Sequence, residues 1–333
     1  MEFEKLLSGC VTNYPLALQT TMHVGGRADF FYIAKTLDKL KNAIALARKN
    51  QIDYIVIGKG SNIVISDYGF PGLVIKNETS NLIIGNNEII VDSGIDLGIL
   101  IRKLAEKNLG NLEFLIGIPG TVGGAVVGNA GAFGKSIADV VNSVLILDKD
   151  NKIKSISNKE LGFGYRESNL KKFFIQNQVK NHPVVLSANL KVIPRKKEMI
   201  LRTIDNYLRM RKSKQPKYFS AGSFFRNIEL KKNPELAKRE DLPIIEDKIP
   251  VGALLEKIGA KNMKIGGASV YSGHANWIIN KNGRARAYDI KKLATELKQK
   301  IRAKFKVIIQ EEVIYIGDFN TPPKSFFEKI FKK

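Results

Sequence analysis

The sequence offers almost no sulfur or imidazole ligands. Of its 333 residues, one is cysteine (Cys10) and three are histidine. A single cysteine excludes an internal disulfide, and one cysteine with three scattered histidines gives no zinc-binding spacing. The sequence therefore predicts no disulfide framework and no metal site, and it favours a cytoplasmic location.

Long apolar segments are also missing. The longest apolar runs, such as Tyr54–Gly58 and Val144–Leu147, are far shorter than the roughly 18 residues that a membrane-spanning helix needs. The first residues carry two acidic side chains, Glu2 and Glu4, and lack the apolar core of a secretion signal. We therefore expect no secretion signal and no stable membrane insertion.

Acidic residues are scarce relative to basic ones. The 54 Lys and Arg residues outnumber the 32 Asp and Glu residues, which gives a formal net charge of +22. Such a charge fits a polyanion such as nucleic acid, anionic small molecules, or a lysine-rich composition of solvated faces. The lysines are spread along the chain, and basic residues do not interleave with aromatic ones as they do in single-strand binders. We expect no nucleic-acid partner, although the charge alone leaves these alternatives open.

The remaining composition is that of a globular protein. Hydrophobic residues make up 44% of the chain and charged residues 26%, and this length suggests two or three domains. In the first third, the apolar spacing predicts a helix at 38–49 and a buried strand at Tyr54–Gly58. Farther along the chain, it predicts a helix at 199–212 and, in the last third, an apolar strand at 307–317.

One segment is unusually rich in glycine. Seven of the eighteen residues from 117 to 134 are glycine, and the others are nearly uncharged, unlike an ordinary solvated loop. Glycine lets backbone N–H groups approach a ligand closely and adopts positive φ, which is how proteins cradle diphosphates. The segment therefore predicts contact with a ligand; the alternative is a turn region that packs against the rest of the protein.

Two common phosphate-binding motifs fit this sequence poorly. Gly58-Lys-Gly60 lacks the third glycine and the following helix of a dinucleotide-binding fold. Residues 129–136 resemble a P-loop, except that Asn129 replaces its first glycine. Only about eight residues separate Lys135 from the next strand pattern, whereas a parallel crossover needs a dozen or more. A P-loop nucleoside triphosphatase is therefore disfavoured.

Several motifs together resemble those of the UDP-N-acetylenolpyruvoylglucosamine reductase (MurB) family. Each alone would be weak, but they follow in the family's order from about residue 12 to residue 317. The short spacing between Tyr165 and Ser223 resembles the family's shorter, second type. The motifs are Thr20-Thr-Met-His-Val-Gly-Gly26, Gly58-Lys-Gly-Ser-Asn62, the glycine-rich segment 117–134, Phe163-Gly-Tyr-Arg-Glu-Ser168, Ala221-Gly-Ser-Phe-Phe-Arg-Asn227, Gly266-Gly-Ala268 with His274-Ala-Asn276, and Glu312-Val-Ile-Tyr-Ile-Gly317.

The resemblance implies an α+β fold and a division into units. A two-domain FAD-binding module of the PCMH type, as in vanillyl-alcohol-oxidase-like flavoproteins, would be followed by an α+β substrate-binding domain. We expect FAD-binding subdomains at 1–72 and 73–197, the substrate-binding domain at 198–317 and a basic tail at 318–333. We expect the protein to be a monomer.

The resemblance also implies the reaction. In the family, NADPH reduces bound FAD and departs, and the enolpyruvyl ether of UDP-N-acetylglucosamine then takes its place. That ether is reduced to UDP-N-acetylmuramate, a peptidoglycan precursor. The expected partners are therefore these two small molecules. The cofactor contacts that the resemblance implies are Gly58, Lys59, Gly60, Ser61, Asn62, Pro119, Gly120, Thr121, Gly124, Asn129, Ala130 and Gly131.

Two of the implied catalytic residues have a clear chemical rationale. A double bond conjugated to a carboxylate accepts electrons poorly, and a cation on that carboxylate counters the growing charge. By resemblance Arg166 is that cation, and its planar fork suits a carboxylate; taken alone, it would be a surface ion pair with Glu167. Ser223 matches the family's proton donor, although a Gly-Ser turn by itself is more often structural.

Glu312 is the third implied catalytic residue. It follows Glu311 in an otherwise apolar strand, where a lone buried carboxylate would be costly unless paired. Strand alternation directs the two acids to opposite faces, and the family pattern, with the acid immediately before Val313, selects Glu312. Residues implied to hold the UDP-sugar or its enolpyruvyl group are Tyr165, Asn227 and Asn276.

The sequence also departs from the family pattern. Gly273 stands where the family usually has lysine, Ile228 replaces proline, and Gln310-Glu311 replaces Glu-Pro. These departures bear on the binding of the substrate phosphates, while the three catalytic positions are filled. The alternative function is a flavin-dependent oxidase of the same FAD-binding superfamily that acts on another substrate.

Overall fold

A computed structural model describes residues 3–176, 182–212, 215–239 and 242–320. Most of the predicted basic tail, residues 321–333, lies outside the described residues. The helices of the described ranges are α1 (Phe3–Leu6), α2 (Leu37–Lys49), α3 (Leu97–Glu106), α4 (Val122–Gly128), α5 (Asn169–Gln176), α6 (Lys197–Lys212), α7 (Pro234–Arg239), α8 (Val251–Lys257) and α9 (Ala287–Phe305).

The strands of the described ranges are mostly short. In chain order they are β1 (Val11–Pro15), β2 (Arg27–Ala34), β3 (Tyr54–Ile57), β4 (Ile63–Ile65), β5 (Phe70–Asn77), β6 (Leu82–Ile84), β7 (Glu88–Asp92), β8 (Leu109–Gly110), β9 (Gly131–Ala132), β10 (Lys135–Ser136), β11 (Val141–Leu147), β12 (Ile153–Ser157), β13 (Val184–Lys191), β14 (Ile193–Pro194), β15 (Phe219–Ser220), β16 (Ile228–Glu229), β17 (Lys248–Ile249), β18 (Lys264–Ile265), β19 (Ala268–Val270), β20 (Ile278–Asn280) and β21 (Ile314–Ile316).

The first sheet has the order β1-β2-β5-β3, with β5 parallel to both of its neighbours. Successive side chains of a strand point to opposite faces, so Phe30 and Phe31 enter separate hydrophobic clusters. Helix α2 covers one face with Leu40, Ala43 and Ile44, which its helical spacing places on one side. The prediction of a helix at 38–49 beside a buried strand is confirmed.

The second sheet is antiparallel, with the order β12-β11-β13-β7-β6. Helices α3 and α4 pack on it through side chains such as Leu100 and Val126. Helix α6 begins near the predicted start of the third unit. Its buried Ile200 and Ile204 nevertheless pack into the hydrophobic cluster of this second sheet. The unit boundaries at 72/73, 197/198 and 317/318 stay predictions.

The third sheet has the order β15-β20-β19-β18 and packs against α8 and α9. Helix α9 buries Ile290, Leu293 and Leu297 along one stripe, which anchors it in this cluster. Among the described residues, no helix is both long and apolar enough to cross a membrane.

The predicted strand at 307–317 is wrong over most of its length. Only β21 is a strand, and it pairs in parallel with β4 rather than with the third sheet. Before β21, Glu311 forms an isolated bridge with Phe225, and Ile308 is largely exposed. The apolar spacing of this segment therefore reflects contacts with two different parts of the molecule. The consequence is that Glu312 lies where the third unit meets the first.

Candidate active site

A cavity of about 310 Å³, here called the first cavity, lies between the parts of the chain that form the three sheets. Its walls come from the loop after β3, the start of α4, α5 and the segment before β21. The predicted catalytic residues Ser223 and Glu312 line it. Of the predicted cofactor residues, those that line it are Gly58, Lys59, Gly60, Ser61, Asn62, Pro119, Gly120, Thr121, Gly124 and Ala130.

Two glycines in the loop after β3 are required by close packing. Gly60 has φ +63°, and a Cβ atom there would lie 2.1 Å from the Gln19 carbonyl oxygen. A Cβ on Gly58 would lie 2.5 Å from Thr121 Oγ1. Both glycines also line the first cavity. Because they carry no side chain, their backbone forms that part of the wall, which is the arrangement that a diphosphate needs.

Replacing Gly60 by alanine is expected to weaken cofactor retention at least about tenfold, because the loop must move to relieve the clash and the positive φ. The flavin content of the purified protein, read from its visible absorbance, measures this effect. Gly85→Ala, in an exposed turn between β6 and β7, is the control and should keep its flavin. Equal flavin content in the Gly60→Ala and wild-type proteins would contradict the assignment of this loop to the cofactor.

Two polar residues of this loop, Lys59 and Asn62, connect it to neighbouring elements. Lys59 forms an ion pair with Asp96, whose carboxylate also caps α3 by accepting from the Ile99 N–H at 2.8 Å. The Asn62 side-chain amide donates to the Glu312 carbonyl oxygen at 3.1 Å. The loop therefore helps to place the backbone of a predicted catalytic residue.

A second cavity, of about 850 Å³, adjoins the first. Tyr165, Arg166 and Asn227 line it, together with the two predicted cofactor residues that the first cavity does not include, Asn129 and Gly131. The chain turns away after α4 because Asn129 caps it in the left-handed conformation (φ +43°). Its amide then donates to the Gly164 carbonyl oxygen at 2.8 Å, so Asn129 holds the loop that carries Arg166.

Arg166 lies at the tip of a tight turn. Gly164 and Glu167 exchange two backbone hydrogen bonds of 3.0 Å, and Arg166 has φ +57°. A positive φ is unfavourable for a side chain of this size. The Arg166 Nε lies 2.9 Å from Glu312 Oε1, and both side chains are about one-fifth exposed. Since Arg166 lines the second cavity and Glu312 the first, this ion pair marks the place where the two cavities meet.

The two adjacent acids before β21 have different partners. Glu312 faces Arg166, whereas Glu311 Oε2 lies 2.8 Å from Lys298 Nζ. The two side chains thus have separate partners, although the predicted strand whose alternation was expected to separate them does not form at these two residues. The Glu312 N–H donates to the Phe224 carbonyl oxygen at 2.8 Å, which fixes the acid beside the Ser223 turn.

Ser223 follows Gly222, whose φ is +81° and whose Cβ position has no atom within 4 Å. The turn is therefore open on the side of the first cavity. Asn276, only 4% exposed, supports this turn: its oxygen accepts from the Phe225 N–H at 2.9 Å and its nitrogen donates to the Phe225 carbonyl at 2.8 Å. With both amide atoms engaged, Asn276 fits a positioning role better than the predicted substrate contact.

Tyr165 and Asn227 are brought together in the second cavity. The Tyr165 hydroxyl accepts from the Asn227 N–H at 3.4 Å, and Asn227 Oδ1 accepts from the Val251 N–H at 3.2 Å. Lys248 Nζ lies 4.9 Å from the centre of the Tyr165 ring. Burial raises the pKa of Tyr165, so its hydroxyl keeps its proton at neutral pH.

Sequence reasoning missed two buried ionisable residues that line the first cavity, Lys171 and His182. Burial lowers the pKa of His182 to about 4, so its imidazole is neutral at pH 7. The ring packs against Tyr54, with 4.8 Å between ring centres. In the sequence, Lys171 stands between Leu170 and Lys172, and His182 stands between Asn181 and Pro183, so no local apolar pattern indicated that either residue is buried. Within the described ranges, no cluster of three or more metal-ligand side chains occurs.

Comparison with known proteins decides the family. Residues 28–157 match the model of an FAD-binding domain, and residues 215–316 match the C-terminal domain of UDP-N-acetylenolpyruvoylglucosamine reductase. The chain is 36% identical over 327 residues to the UDP-N-acetylenolpyruvoylglucosamine reductase of Clostridium botulinum strain 657, covering 96% of this chain and 97% of the relative. It belongs to the UDP-N-acetylenolpyruvoylglucosamine reductase family.

Two further members of this reductase family support the assignment. The Bacillus subtilis reductase is 35% identical over 318 residues, covering 94% of this chain and 96% of the relative. The crystal structure of the Thermus caldophilus reductase matches with a TM-score of 0.72 at 30% identity, covering 92% of this chain and 98% of that one. The resemblance and the α+β fold with an FAD-binding module, both predicted from sequence, are confirmed. The chain is an FAD-dependent oxidoreductase of peptidoglycan synthesis, with NADPH as co-substrate.

Proposed function

We propose that this enzyme reduces the enolpyruvyl ether of UDP-N-acetylglucosamine to UDP-N-acetylmuramate at the junction of its two cavities. The observation that carries this proposal is the Arg166–Glu312 pair, which joins the two cavities beside the Ser223 turn. A reaction in which a cofactor reduces a separate substrate needs such a junction, because the two molecules must come into contact without sharing one binding site.

The first cavity fits FAD. Its glycine-lined loop leaves backbone open to a diphosphate, and the side chains of Val56, Ile57 and Val184 supply apolar walls. In this proposal the loop 58–62 and the segment from Pro119 to Thr121 hold the diphosphate. When bound there, FAD supplies the reducing electrons at the end of the cavity where Ser223 and Glu312 lie.

Arg166 is proposed to bind the carboxylate of the enolpyruvyl group. Negative charge grows on this carboxylate as the neighbouring double bond is reduced, and a preorganised cation lowers the energy of that state. The pairing with Glu312 and the tight Gly164–Glu167 turn hold the guanidinium before substrate arrives. The strained backbone of Arg166 therefore fits a functional constraint.

Ser223 is proposed to donate the proton that completes the reduction. A hydroxyl is a weak acid, so it serves only a strongly basic carbon and needs a neighbour that orders it. Glu312 is held beside the serine turn through the Phe224 carbonyl and is proposed to order this proton transfer. Tyr165 and Asn227, in the second cavity, are proposed to hold the UDP-sugar.

Asn276→Ala is expected to lower kcat more than it raises KM, since Asn276 positions the Ser223 turn through Phe225. Leaving the two buried Phe225 backbone groups unpaired also costs about 1–3 kcal/mol of folding stability. Steady-state kinetics and thermal unfolding of the variant measure the two effects. A raised KM with unchanged kcat would instead support the direct substrate contact predicted from the sequence.

The substrates are small molecules. We propose that the protein has no nucleic-acid partner, because its site accounts for anionic ligands without requiring a polyanion. We also propose that it works in the cytoplasm as a monomer. Sedimentation at several protein concentrations tests the monomer, and salt-dependent binding of DNA fragments tests the absence of a nucleic-acid partner.

NADPH oxidation that depends on the enolpyruvyl sugar tests the proposed reaction. We expect a yellow protein that oxidises NADPH only when this sugar is present and that forms UDP-N-acetylmuramate in equal amount. A flavoprotein that is reduced by some other substrate and consumes oxygen, with no sugar-dependent NADPH oxidation, would identify the alternative oxidase instead.

A further inference from the structure

Lys171 occupies an unusual position for a lysine. It lies in the first turn of α5, where its N–H donates to Ser168 Oγ at 3.0 Å while the Ser168 hydroxyl donates to the Val127 carbonyl at 2.7 Å. Ser168 is fully buried and Lys171 is 2% exposed. The lysine lines the first cavity together with Leu170 and Phe174.

The charges around Lys171 leave it without a carboxylate partner. Arg166 pairs with Glu312, and Arg226 Nη1 pairs with Glu167 Oε1 at 2.8 Å. In the part of the chain that the structure describes, the hydrogen bond of Lys171 Nζ is to the Arg166 carbonyl oxygen, at 3.3 Å, and no carboxylate lies within ion-pair distance of it.

An ammonium group in this position needs further compensation. Lysine is almost never fully buried unless paired, because removing its charge from water is costly. Burial, assisted by the charges of Arg226 and Arg166, lowers the pKa of Lys171 to about 8. The group is therefore still largely protonated at pH 7, and its residue forms part of the wall of the cavity that we assign to FAD.

We propose that Lys171 is the cation that stabilises the negative charge of reduced FAD, and that it thereby raises the reduction potential of the bound cofactor. FAD takes up two electrons and one proton from NADPH and gains one negative charge, while NADPH becomes NADP⁺. A fixed cation in a low-dielectric wall favours this charged form over the oxidised one. The inference rests on the proposed assignment of the first cavity to FAD.

The reduction potential of the bound flavin tests this inference directly and does not depend on turnover. We expect Lys171→Met to lower the equilibrium constant for reduction at least tenfold, which is about 30 mV for a two-electron couple. Lys171→Arg, which keeps the charge, should stay close to wild type. Lys172→Met is the matched control, since Lys172 is the next residue of the same helix and is exposed.

The pH dependence of the wild-type potential provides a second measurement. The charged groups that face Lys171 are Arg166 and Glu167 before its helix and Arg226 and Glu312 from the third unit. As the pH rises through the Lys171 pKa, the ammonium loses its proton. The reduction potential should then fall by an additional step, beyond the decrease that proton uptake by the flavin itself causes. Lys171→Arg should lack this step, because arginine stays protonated.

The outcomes separate this inference from the proposed function. A wild-type protein without flavin would contradict the proposed function. A flavin-containing Lys171→Met protein whose equilibrium constant lies within twofold of wild type would overturn the role of Lys171 alone. If Lys171→Met fails to retain FAD, the pH titration decides: the same step in the Lys171→Arg and wild-type proteins overturns the inference, and its absence in Lys171→Arg supports it.

Discussion

Ser223→Ala is expected to be reduced by NADPH at the wild-type rate but to be reoxidised by the enolpyruvyl sugar about 10²–10⁴-fold more slowly. Loss of a positioned general acid has an effect of this size. The first half of the reaction is spared because the serine is needed only when the substrate carbon takes its proton. Stopped-flow absorbance of the flavin, recorded separately for the two halves, measures the split.

Ser220→Ala provides the control for this variant. Ser220 precedes the same turn, and the hydrogen bond that it accepts from Thr21 uses its carbonyl oxygen, which alanine keeps. This variant should match wild type in both halves of the reaction. Normal reoxidation of Ser223→Ala by the sugar would show that another group donates the proton.

Glu312→Gln is expected to lower the rate of flavin reoxidation by the sugar about 10²–10³-fold, the size of effect seen when one preorganised polar group is removed from a site of developing charge. The substitution removes the carboxylate that faces Arg166 Nε at 2.9 Å. Arg166 then loses its fixed orientation, and the group proposed to order proton transfer is gone. Single-turnover reoxidation measures the rate.

The neighbouring acid gives a closely matched comparison. Glu311→Gln makes the same chemical change one residue earlier, where the partner is Lys298. Partly exposed ion pairs contribute little, so this variant should retain nearly all activity. Equal losses in the two variants would show that a general loss of acidic charge, rather than the position of Glu312, accounts for the effect.

Local patterns predicted the elements whose packing is local. Helix α2 shows one apolar stripe, and β3 is a short β-branched run, so both could be read from neighbouring residues. The segment before β21 could not, because Glu311 bridges Phe225 while Ile314 pairs with Ile63, contacts that depend on distant residues. Helix α4 was hidden because its sequence contains three glycines, which disfavour helix.

The candidate site was predictable to a similar extent. The motif resemblance gave Arg166, Ser223 and Glu312, and the structure places all three around one junction. The motif could not show that Asn129 supports the Arg166 loop, since this depends on a left-handed cap that redirects its side chain. Lys171 was missed because adjacent lysines on an amphipathic helix indicate a solvated face.

Anaerobic single turnover is the most direct test of the central claim that the two cavities join an FAD site to a sugar site. The protein is first reduced with one equivalent of NADPH and then mixed with UDP-N-acetylglucosamine enolpyruvate. The account predicts that the oxidised flavin absorbance returns and that one equivalent of UDP-N-acetylmuramate forms. A flavin that stays reduced, with no product, would contradict it.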